Sequence, residues 1–156
     1  AEPPDLPIVW VALAAAAHVP DPRIPPIADD LLSNLTKTGE GGLSESLCKV
    51  AMRVLVDTGD EKYVERVTRF LYPDNLKAIE KEGYRTNNLV TDAFMALERL
   101  PKARCEAILT RVSQELEKYL AENKAEDISN SARLIQRMLD NHSKSGNQES
   151  TVPVTP

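Results

Sequence analysis

The sequence predicts an all-α fold of antiparallel helical hairpins, and three observations predict it. Through most of residues 27–142, apolar residues recur at i, i+3, i+4 and i+7, the period of a helix with one buried stripe. Only seven of the 156 residues are aromatic and much of the 42% apolar content is alanine, whereas pleated sheets favour aromatic and β-branched side chains. No stretch alternates apolar and polar residues between hairpin turns.

The elements follow in order. Residues 1–7, AEPPDLP, are acidic and proline-rich and read as an extended N-terminal segment. Residues 8–42 read as N-terminal helices around a proline joint, because PDPRIPP at 20–26 must break any helix begun at Ile8. Ile27, Leu31 and Leu35 start the next helix, which ends before the GEGG joint at 39–42. Ser44 can cap a helix carrying Leu47, Val50, Ala51, Val54 and Leu55, with Glu45, Lys49, Arg53 and Asp57 as a charged ladder on its wet face. Gly59 stops it and Asp60 caps a helix that buries Tyr63, Val64, Val67, Phe70 and Leu71. A short helix runs from Asp74 to Gly83, and Thr86 or Asn87 caps one with Leu89, Val90, Ala93, Phe94, Leu97 and Leu100. Pro101 suits the first helical position of the longest helix, striped by Ile108, Leu109, Val112, Leu116, Tyr119 and Leu120. Asp127 or Ser129 caps the last helix, and residues 143–156 read as a disordered tail.

Short breaks favour antiparallel neighbours, so residues 8–142 are expected to form a single helical domain, with 43–142 its main hairpin core. Pairing 44–58 with 60–72 and 86–100 with 102–122 yields a compact bundle if the hairpins fold inward. If they stack, it yields a short irregular α-solenoid, HEAT- or armadillo-like in architecture only. A weak internal echo, Leu71-Tyr72-Pro73 against Arg99-Leu100-Pro101, falls short of a fixed-period repeat.

Little in the chain points to catalysis, so it reads as a non-enzyme. The two histidines, His18 and His142, flank the proline cluster and the tail, and neither stands where a triad would hold it. Cys48 and Cys105 lie 57 residues apart without metal-ligand spacing, on apolar faces where a thiol behaves as a small hydrophobe; a disulfide between them stays open. No metal or cofactor is expected. The glycines of TGEGGLSES at 38–46 lack a preceding strand and a lysine, and Glu40 and Glu45 would repel a phosphate. The carboxylate pairs Asp60–Glu61 and Glu126–Asp127 sit where helix starts favour acid.

Charge separates the remaining readings. The net charge is −5, and residues 1–42 alone carry −4, with Arg23 and Lys37 against six acidic side chains. The segment 43–142 is near neutral, which argues against a one-sided basic clamp for nucleic acid. Local rows exist all the same: Lys62, Arg66 and Arg69 share one helix face, Arg133 and Arg137 another, and Arg104, Arg111 and Lys118 recur every seven residues. Interleaved acids give these rows the pattern of salt-bridged surface. The expected function is therefore a non-catalytic interaction module or structural subunit of a multi-subunit assembly, with RNA binding through the basic faces as the alternative. Partner contact is placed on PIVWVALAAAAHVP at 7–20, through Ile8, Trp10, Val11 and Leu13. That stretch is too short to span a bilayer and is preceded by Glu2 and Asp5 rather than a basic n-region. Apolar nearly all round, it must bury against this chain or a partner, leaving Trp10 inaccessible. The P-x-x-P spacings at Pro4–Pro7 and Pro22–Pro25 read first as plain linker, with an extended ligand as the alternative. Cysteine usage places the chain inside a cell, in cytoplasm or an organelle matrix.

Overall fold

The computed structural model describes residues 12–16, 18–38, 43–81 and 86–149. Among these residues the chain is helical and contains no strand. After a helical turn at 12–16 come α1 (Ile24–Thr38), α2 (Leu43–Asp57), α3 (Glu61–Thr68), α4 (Pro73–Lys81), α5 (Thr86–Leu97), α6 (Lys102–Glu122) and α7 (Asn130–Glu149). Single 3₁₀ turns at Arg69–Leu71 and Ala125–Asp127 lie in the connections.

The junctions show why the elements begin and end where they do. Helix α1 starts at Ile24, three residues earlier than the apolar spacing predicts, because Pro25 and Pro26 fit a first turn that needs no N–H partner. Asp21 prepares that start: its carboxylate accepts the Arg23 N–H at 2.9 Å and its carbonyl the Ile24 N–H at 3.1 Å. Pro22–Pro25 therefore enters a helix and is not an extended P-x-x-P ligand; Pro4–Pro7 lies outside the described residues. Helix α2 begins at Leu43, one residue before the expected cap Ser44. It ends at Asp57, Gly59 turns the chain at φ +68°, and the Asp60 Oδ1 accepts the Lys62 N–H at 3.0 Å to cap α3.

Both arms of the weak echo turn out to be junctions. Tyr72, extended at φ −90° and ψ 119°, precedes Pro73 at the first position of α4. Pro101 stands one residue outside α6, at ψ 138°, and its carbonyl accepts the Arg104 and Cys105 N–H groups. At α7 the Ser129 Oγ accepts the Ala132 N–H at 3.1 Å. This helix continues to Glu149, so residues 143–149 are not a disordered tail. An apolar stripe is not needed to prolong a helix already nucleated, and Ser143 and Ser145 return their hydroxyls to the carbonyls of Leu139 and Asn141.

One hydrophobic cluster runs from Leu13 to Ile135. Helix α2 packs on α1, α3 and α5, and α6 lies against α4 and α7. Helix α5 approaches α2 most extensively and also meets α3, α4 and α7. It buries Leu89, Val90, Ala93, Phe94, Ala96 and Leu97, so it packs on more than one side instead of pairing chiefly with its successor α6.

Candidate functional site

A groove of about 790 Å³ opens on the described surface between the turn at 18–25 and the α2–α3 corner. Its apolar lining comes from Ala16, Val19, Ile24, Val54, Tyr63 and three prolines, Pro20, Pro22 and Pro25. Its polar lining is His18, Asp21, Asp57, Thr58 and Asp60, with no Lys or Arg among the described lining residues. Local chemistry puts each carboxylate there. Asp21 sets the start of α1, Asp57 ends α2 and Asp60 caps α3. Asp57 holds Arg99 through both oxygens at 2.8 and 2.9 Å, which raises the guanidinium pKa, so this end of the predicted α2 ladder pairs across to the segment after α5. Asp21 pairs with Arg23, which holds its carboxyl below the usual range. Within the groove Val19 is 59% exposed, and along α1 Ile27 is 60% exposed.

Of the residues expected to meet a partner, Ile8, Trp10 and Val11 lie outside the described residues. Leu13 is 5% exposed and joins the chain's own core.

The basic rows are mostly occupied by the chain's own groups. Arg66 donates to Asp29 at 2.9 Å and to Ser33 at 2.7 Å, and stacks 5.5 Å from the Phe70 ring centroid. Lys62 sits 5.3 Å over the Tyr63 ring. Glu65 takes Arg69 at 4.0 Å on one oxygen and Arg111 at 3.2 Å on the other. Arg104 donates to the Gly59 carbonyl, and Arg133 to that of Ala125. Arg137 is exposed on α7.

A second, smaller pocket of about 280 Å³ collects residues that sequence spacing leaves apart: Glu98, Cys105, Glu106 and His142. His142 Nδ1 stands 3.8 Å from Glu98 Oε1, and its ring meets Phe94 edge-on at 6.1 Å. Burial pushes the Cys105 thiol up, and the Glu98 and Glu106 carboxylates push it further. That is the opposite of the electropositive setting that makes a thiolate nucleophile. Cys48 and Cys105 are buried and not joined to each other. No group of three His, Cys, Asp or Glu among the described residues could hold a metal ion, and none of the described helices is long and apolar enough to cross a membrane.

The protein was compared with family models, curated proteins and solved structures. None of them matches this chain. The groove therefore has to be read on its own chemistry. Its two walls come from residues 18–25 and 54–63, joined only by the packing of α1 on α2, so no local motif announces it. The available signals were single ones: Asp60 as a cap, and an acidic residue between prolines at Asp21.

Proposed function

We propose that the protein is a non-catalytic helical interaction module, a structural subunit that holds a protein partner in a larger assembly. The observation that carries this reading is the groove at the α2–α3 corner, where apolar lining, polar groups and the exposed Val19 adjoin. Apolar surface left outside a core and rimmed by polar groups is characteristic of interaction sites. Of the two expected architectures, the compact bundle is favoured, since α5 touches helices distant in sequence on both sides, α2 and α7. A stacked array would confine each unit to its neighbours. RNA binding through the basic faces has weaker support, because Arg66, Arg69, Arg111 and Arg133 already hold partners within the chain.

The test is affinity capture with the native chain and with Val19→Lys as baits, with captured proteins identified by mass spectrometry. The expected result is a defined partner held by the native chain and lost from the variant. Recovery of the same proteins by both baits would count against the groove as the contact. Salt-sensitive binding of single-stranded RNA, lost on substitution of Arg137, would favour the alternative.

A further inference from the structure

We propose that the groove takes a short basic, amphipathic segment of the partner, with apolar side chains against Val54, Tyr63 and the prolines and a Lys or Arg against Asp57 and Asp60. This inference rests on the reading of the chain as a protein-holding module and adds the chemistry of what it holds. At about 790 Å³ the groove is on the scale of clefts that seat small ligands, so it receives a few side chains. Charge selects among occupants. Three carboxylates line the groove with no cation among the described lining residues, Asp21 and Asp57 each pairing with one arginine and Asp60 with none among the described residues. An acidic peptide would meet like charge there.

Arg23 takes up both oxygens of Asp21, which leaves Asp57 and Asp60 to receive a cation. A carboxylate has about four lone-pair sites, and Arg99 takes one on each Asp57 oxygen. Asp60 gives Oδ1 to the α3 cap, and its Oδ2 accepts no hydrogen bond from the described residues. Val19, 59% exposed, extends the apolar lining of the groove outward.

The test uses the full chain and three labelled synthetic peptides of equal length, alternating Leu with Lys, Leu with Glu and Leu with Gln. Binding is read by fluorescence anisotropy at low and high salt and located by amide NMR shifts. The Leu/Lys peptide is expected to bind most tightly, to weaken with salt, and to shift Val19, Thr58 and Tyr63. Asp60→Asn keeps a good helix cap while removing the charge, and should weaken binding roughly two- to five-fold, the worth of an exposed ion pair. Val19→Lys should weaken it further. Glu122→Gln, an equal change of net charge at an exposed position of α6, should leave it unchanged. The proposal is overturned by equal or tighter binding of the Leu/Glu or Leu/Gln peptide, by shifts confined elsewhere, by equal effects of Asp60→Asn and Glu122→Gln, or by no binding at all. Any of these leaves the protein-holding reading intact if capture still finds a partner lost with Val19→Lys.

Discussion

At Gly59 the backbone turns through φ +68°, the one positive φ among the described residues, and the turn separates α2 from α3. A β-carbon there would meet Arg104 Nη1 at 3.7 Å, an ordinary contact, so conformation and not space decides the cost of Gly59→Ala. That substitution should destabilise by about 1–2 kcal/mol, and thermal unfolding should show each kcal/mol as a loss of about 2–4 °C. An unchanged melting temperature would mean that the turn relaxes. Cys105 makes a different residue-scale prediction. Its raised pKa keeps the thiol protonated, so labelling with a thiol reagent at neutral pH should be slow in the native state. With Cys48 and Cys105 not bonded to each other, both should label quickly in denaturant without a reductant. The same shift has a thermodynamic sign. A group with its folded pKa raised favours the fold below its unfolded pKa, about 8.5 for cysteine, and that contribution is lost as pH climbs through the folded value. Tyr72, raised by burial and by Glu65, adds a loss in the same direction at higher pH. Stability measured in urea should therefore fall on the alkaline side, and Cys105→Ala should remove the part that starts near the thiol range.

Between elements, polar contacts tie helices that apolar packing alone would leave free to slide. Glu80 of α4 accepts from Thr86 at 2.7 Å and from Ser131 at 2.6 Å, on the same oxygen, while those two hydroxyls also touch each other. Thr86 and Ser131 are buried at the starts of α5 and α7, so one carboxylate joins three helices. Glu80→Ala removes the acceptor shared by two buried hydroxyls, leaving them each other and the Asn87 Oδ1 at 3.4 Å, and should cost about 1 kcal/mol; Glu80→Gln, which keeps an acceptor oxygen, should cost less. A double-mutant cycle with Ser131→Ala checks the link, since additive losses would show that the groups act separately. Arg66 similarly fastens α1 to α3 through Asp29 and Ser33. Arg66→Ala should lower hydrogen-exchange protection in α1 more than in α6, and uniform loss across the helices would contradict that local role.

For the whole molecule, the single cluster from Leu13 to Ile135 implies one cooperative unfolding transition. Leu55 is fully buried on α2, which touches α1, α3 and α5. Leu55→Ala should cost about 2–5 kcal/mol, with circular dichroism and tyrosine fluorescence moving together in urea. Separate transitions for the two probes would show that part of the cluster unfolds on its own.

The sequence by itself determined the helical class and most helix limits, because those depend on neighbours three or four residues away: Leu89 to Leu97 on one buried stripe, Asp60 beside Lys62, Gly59 after Asp57. Its misplacements are also local. Pro25 and Pro26 read only as part of a break and also open α1, and the polar run after His142 reads as a tail although its serines and backbone sustain a helix to Glu149. Tertiary structure alone decided which charges meet between helices. Asp57 was legible as part of an α2 ladder and is claimed by Arg99, and Arg66 was legible as one cation of a row and is claimed by Asp29. It also decided that Val19, Val54 and Asp60 share one groove. The reason is physical: helix periodicity constrains which face is buried but not which helix buries it, and long charged side chains take whichever partner that packing brings within reach.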